Sequence, residues 1–93
     1  MPKTHETIRE SLYRVHYRQV NAFFDRLFSD AVAADRMSEE VFSDAFTNYG
    51  VFGIRTRRDM ASQEYEIRVL LSRLCVKCAL HHLRDDPDAT IRY

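Results

Sequence analysis

The residues best equipped for chemistry stand together late in the chain, in the run Cys75-Val76-Lys77-Cys78-Ala79-Leu80-His81-His82. On a helix, Cys75, Cys78 and His82 share one side at i, i+3 and i+7, and two thiolates with an imidazole are suitable ligands for zinc. A closed tetrahedral site needs a fourth donor, which His5, His16 or a carboxylate would have to bring from elsewhere in the fold. Structural zinc sites usually take ligands from turns as well as helices, and free cysteine is among the most buried residue types. The cluster therefore reads first as core thiols with histidines at a helix end, and no metal is expected. A metal- or thiol-responsive helical regulator using Cys75, Cys78 and His82 is the alternative function. Thioredoxin-like redox chemistry fits less well, because there the CxxC opens a helix after a strand and here it lies deep in a helical pattern. No nucleophile and base pair is legible, and two glycines leave no phosphate-cradling loop, so no catalysis is expected.

A second constellation suits recognition rather than reaction. Leu12 to Phe23 reads LYRVHYRQVNAF. At 3.6 residues per turn, Leu12, Val15, Gln19 and Phe23 fall on one face, while Arg14 and Arg18, one turn apart, project together from another. The densest basic patch is Arg55, Arg57 and Arg58. Isolated surface arginines are usually just solvated, and the functional reading is an anchor for an acidic helix.

The Leu12-Tyr13-Arg14 element near the N-terminus, with Arg18 and Phe23 in step, resembles the signature of the mitochondrial LYR-motif family of small three-helix adaptors and accessory subunits. Asp44-Ala45-Phe46 matches a second element, where that family carries an aromatic residue on its second helix. The resemblance covers most of the chain in layout and about a dozen positions in identity. It implies a mitochondrial matrix protein whose partner is the acidic mitochondrial acyl carrier protein. The acyl-phosphopantetheine of that partner would insert between the helices, and the adaptor would have no cofactor of its own. By the same resemblance, Leu12, Tyr13, Arg14 and Arg18, with Arg55, Arg57 and Arg58, would hold the partner, and Phe23 and Phe46 would line the acyl chain. A larger mitochondrial complex would be the docking target, in cysteine desulfurase function and iron-sulfur biogenesis, respiratory-complex assembly or mitoribosome assembly. Two departures stand out: the gap to Phe46 is several residues longer than in typical members, and Gly50 occupies the place where a basic residue often follows that aromatic.

Composition agrees with a small helical binding module. Ninety-three residues make a single domain, 1–93, with a limited core, so that a bound partner is expected to contribute to stability. Lys plus Arg and Asp plus Glu both number 14, which removes the bulk cationic field of a nonspecific nucleic-acid binder, and no direct nucleic-acid contact is expected. Twelve of the 14 basic residues are Arg, a choice suited to carboxylate or phosphate contacts that a biased genome would also produce. No apolar run is long enough for a transmembrane segment, and the first residues do not read as a secretory signal. Glu6 and Glu10 among the early basic residues do not match an acid-poor presequence, so the matrix assignment rests on the resemblance alone. Two cysteines three apart in a helical pattern fit a reducing compartment.

The elements that must position these residues are helices, since two glycines and two prolines leave the interior almost free of breakers. Thr4 is the expected N-cap of a first helix running to about Ala34. Ile8, Leu12, Val15, Phe23 and Leu27 form its core stripe, and Tyr13, Tyr17, Val20, Phe24 and Phe28 form an adjoining band. Residues 35–38 read as a connection, with Ser38 capping a short second helix that Gly50 ends. Thr56 and Asp59 resemble a capping box opening a third helix to about Arg84, stopped by Asp85-Asp86-Pro87. On that helix Met60, Ile67, Leu71, Leu74 and Cys78 make one stripe. Tyr65, Val69, Val76, Leu80 and Leu83 make another, expected to face a partner or a second copy. The expected fold is all-α, an antiparallel three-helix bundle with long first and third helices.

Overall fold

Thr7 starts the first helix, because its hydroxyl accepts the Glu10 amide at 3.1 Å while the Glu10 carboxylate accepts the Thr7 amide at 2.8 Å. This reciprocal capping box satisfies two otherwise orphaned donors. The computed structural model describes residues 7–28 and 30–86, and of Val51, Phe52 and Arg57 the backbone alone. Thr4, the expected cap, lies outside the described residues, as do His5 and Pro87. From Thr7 the first helix, α1, spans Ile8–Leu27.

The first connection is earlier than the sequence suggested. Phe28 is extended, with φ −119° and ψ 153°, and Asp30 caps α2, which spans Ala31–Asn48. The Asp30 carboxylate accepts the amides of Val32 at 3.0 Å and Ala33 at 3.2 Å. Residues 35–38 are therefore helix interior, not a linker. Ser38, the expected cap, is fully buried, and its hydroxyl donates to the Ala34 carbonyl at 2.7 Å, the option that remains to a serine inside a helix. Asp30 prevails because it satisfies two amides at once, and because starting there brings Ala33, Ala34 and Met37 into the core beside Val41 and Phe42.

Gly50 ends α2 as expected, at φ +55°, where an L side chain would be strained, and a 3-10 turn follows over Gly50–Gly53. Thr56 and Asp59 form the expected capping box for α3, Arg57–Ser62. The helix they open is not continuous. The Ser62 hydroxyl bonds back to the Asp59 carbonyl at 3.1 Å, Gln63 leaves helical geometry at φ −109° and ψ 16°, and α4 runs separately from Glu64 to Asp85. Among the described residues the fold is all-α with four helices, three of them long, at 20, 18 and 22 residues. Among the described residues no helix is long and apolar enough to cross a membrane.

The core is built by α1, α2 and α4. Leu12, Val20, Phe24 and Phe28 meet Met37, Val41, Phe42 and Ala45, and these meet Ile67, Leu70, Leu71 and Leu74. The buried line of α1 is thus drawn from both apolar bands, while Val15, expected in the core stripe, is 47% exposed. Helix α2 packs extensively on both neighbours, whereas α1 and α4 touch more sparingly. That difference leaves a groove between them.

Candidate binding site

Leu12, Tyr13 and Arg14 enter three environments, since consecutive residues on a helix diverge by about 100°. Leu12 is buried in the core, Tyr13 is half-buried at the α1–α2 seam, and Arg14, like Arg18, is exposed. The Tyr13 ring lies 4.9 Å from both the Tyr17 and Phe42 rings, and Phe42 lies 6.2 Å from Phe46. The Arg9 guanidinium stands 5.0 Å over the Phe46 ring, closing this aromatic ladder with a cation.

Below the ladder, polar side chains lock α1 to α2. The Tyr17 hydroxyl donates to Asp35 Oδ1 at 3.0 Å, and Asn21 Nδ2 donates to the same oxygen at 3.0 Å and to Ser38 Oγ at 3.3 Å. Burial first, and the Asp35 hydrogen bond second, push the Tyr17 phenol up to about 12. Tyr13 is raised as well, by burial and then by Glu39 and Asp35. Both phenols therefore stay protonated donors.

On the opposite flank of α1 lies an apolar groove of about 490 Å³ between α1 and α4. Its walls are Val20, Phe23 and Leu27 from α1 and Leu71, Cys75 and Val76 from α4, and polar groups of Gln19, Arg26, Arg68 and Ser72 stand along the rim. Phe23 is held edge-on against the fully buried Phe24, at 5.1 Å and 85°. The volume falls in the range of about 300–1,000 Å³ usual for ligand sites, and apolar walls with a few polar rim groups are the usual lining. One turn before Val20, His16 is buried. Its pKa is held down by burial above all, with Glu64 pulling it up and Arg68 pushing it down.

The expected site residues are thus distributed rather than gathered. Phe23 lines the groove, but Phe46 belongs to the aromatic ladder at the other seam, so the two do not share a cavity. Arg55 and Arg58 are exposed around the start of α3, and the Arg55 amide donates to Asp59 Oδ2 at 3.2 Å. The Arg57 side chain lies outside the described residues. Arg26, Arg68 and the Asn21–Asp35–Ser38 network were missed from sequence. Arg26, three residues after Phe23 on the same face, was the available signal for the rim.

The thiol cluster also divides. Cys75 is buried in the groove wall, and burial pushes its thiol up to about 12. Cys78 and His82 line a second, polar depression of about 590 Å³ between α2 and α4. There the Cys78 thiol faces the Met37 carbonyl at 3.9 Å and is raised to about 11 by burial, then by Glu40 and Asp44. His82 packs edge-on against Phe28 at 5.1 Å. Lys77 pairs with Asp44 at 3.4 Å across this depression. Among the described residues no three His, Cys, Asp or Glu side chains stand close enough to hold a metal ion. Thiols raised this far carry little thiolate near neutral pH, the form that binds metal or attacks. No family model matches the chain, and no curated protein or solved structure matches it.

Proposed function

We propose that this chain is a noncatalytic LYR-type adaptor of the mitochondrial matrix that binds acylated acyl carrier protein and docks onto a larger mitochondrial assembly. The observation that carries the reading is the groove beside Phe23, an apolar slot between two helices with arginine at its rim. An acyl chain entering it would leave water at about 0.8 kcal/mol per methylene, enough for several groups to outweigh the polar contacts around them. Arg14 and Arg18, exposed on α1, would meet the acidic surface of the carrier, and Arg26 and Arg68 would meet the phosphate of the phosphopantetheine arm. In this reading α1, α2 and α4 form an antiparallel three-helix bundle, and α3 leads into its last helix.

The Phe46 ladder would then stiffen the α1–α2 seam instead of touching the chain, a role that differs from the one the family resemblance implies. Affinity purification of the intact chain followed by intact mass spectrometry tests the proposal. A co-purifying carrier with an acyl-phosphopantetheine mass is expected. Carrier recovered only without an acyl group, or no carrier at all, would sink it.

A further inference from the structure

Helix α4 has an outer stripe that meets the groove at Ser72 and Val76 and runs past it at both ends. Tyr65, Val69, Ser72, Val76 and Leu80 follow one another at steps of four, three, four and four, within an arc of about 80°. Tyr65 is 75% exposed, Leu80 58% and Val76 49%. The stripe covers about 22 Å, at 1.5 Å per residue, which is four turns of helix. Large apolar groups set in line along a solvent face mark an interaction surface. The opposite side of α4, with Ile67, Leu70 and Leu74, is already in the core, so only this narrow seam is available.

The charges beside the stripe have one sign for most of its length. Arg68 borders it on one side, and Arg73, Lys77 and Arg84 follow on the other after a single acid, Glu66. Lys77 is occupied by Asp44, and Arg68 holds Glu64 only loosely, at 4.0 Å with both side chains 55% exposed. In a chain of formal net charge zero, this is an excess created by position.

We infer that the outer stripe of α4 is the docking site for an amphipathic helix of another protein, one whose apolar seam is bordered by Asp or Glu on both sides. A second copy of this chain fits worse. Parallel pairing of two α4 helices puts Arg68 of one beside Arg73 of the other, the positions that set partner choice in paired helices. Antiparallel pairing that layers Tyr65 on Leu80 and Val69 on Val76 brings the two Arg73 side chains to the same level beside the two-fold axis. Either way like charges meet, and an acidic border relieves both. A lipid surface fits worse too, since a helix lying on a broad apolar surface presents an arc of about 100° or more, and a narrower seam suits one facing helix. This surface shares Arg68, Ser72 and Val76 with the groove but leaves out Arg14 and Arg18 on α1, and the inference does not depend on the carrier-protein reading.

The test uses the full chain and two synthetic helices of about three heptads, with Leu and Ala along the seam and either Glu or Lys at every bordering position. Fluorescence anisotropy should show the Glu peptide binding at least about tenfold more tightly than the Lys peptide, with the preference shrinking in ~0.5 M salt. The double variant Arg68→Glu/Arg73→Glu should reverse the preference. Leu80→Asp, at an exposed position outside the groove, should abolish binding of both peptides with an unchanged circular dichroism spectrum. Arg14→Glu should leave peptide binding unchanged, which separates helix docking on α4 from the carrier contact proposed for α1. Equal affinity for the two peptides, no binding of either, or no reversal in the double variant overturns the inference. So does a dimer in light scattering that Leu80→Asp dissociates, which would give the face to a second copy. Tighter binding to vesicles of anionic phospholipid than to the Glu peptide would likewise overturn it in favour of a membrane.

Discussion

The two flanks of α1 are built from similar residues and end differently. Toward α2, Tyr13 and Tyr17 meet Phe42 with ring centroids at 4.9 Å and 6.4 Å, and Asp35 collects hydrogen bonds from Tyr17 and Asn21 at 3.0 Å each. Toward α4, Phe23 and Leu27 face Leu71 and Val76 across open space. Apolar burial has no direction, so it tolerates either outcome. Directional hydrogen bonds close the first flank and fix its register, while Gln19, Arg26, Arg68 and Ser72 stand as a polar rim along the second. A single amphipathic helix thus supplies a closed seam on one side and an open apolar groove on the other.

Adjacent phenylalanines give the sharpest way to break that comparison. Phe24→Ala should cost ~3–5 kcal/mol of stability, because a fully buried ring leaves a cavity. Phe23→Ala, half-exposed on the groove wall, should cost much less stability and should weaken acylated carrier more than unacylated carrier. Urea melts of both variants, with titrations against both carrier forms, measure the contrast. Equal stability losses would mean that the groove is core in solution.

The boundary between α1 and α2 gives the next largest effect. Arg36→Pro should cost ~3 kcal/mol or more, since residue 36 is inside α2 and proline would remove a backbone donor and clash with the preceding turn. Asp30→Ala should cost about 1 kcal/mol through loss of the cap. Were residues 35–38 a linker, the order would invert, and thermal denaturation of the two variants decides it.

A smaller effect follows from His16. Its folded pKa lies below the ordinary 6.5, so the unfolded chain binds the extra proton more readily and stability rises with pH across this range. The contribution is complete above about 6.5 and is lost as pH falls toward the folded value. His16→Gln should therefore flatten the stability profile below about pH 6.5, read from urea midpoints, and an unchanged slope would remove His16 from the account.

Arg14→Glu should have the smallest effect on the fold, within about 0.5 kcal/mol for an exposed residue, while weakening carrier binding by charge reversal. Unfolding as the main effect would instead make Arg14 part of the α1 scaffold.

The sequence by itself determined the helical class, the Thr56–Asp59 capping box, the stop at Gly50 and the apolar outer stripe of α4. Each is a local matter, resting on a cap within four residues, a glycine free to take φ +55°, or a repeat along one helix. Where two caps competed, local signals were not enough. Ser38 followed by Glu39 and Glu40 resembles a helix start as well as Asp30 does, and only the burial of Ala34, Met37 and Ser38 selects between them. The break at Gln63 was equally hidden, because the apolar pattern continues across it. The tertiary structure decided which stripe residues are buried, split Cys75 from Cys78 and His82, and put Phe23 and Phe46 at different seams. The physical reason is that one helix can state which of its faces is apolar, but the neighbour on that face, and the space left beside it, depend on the packing of all three long helices at once.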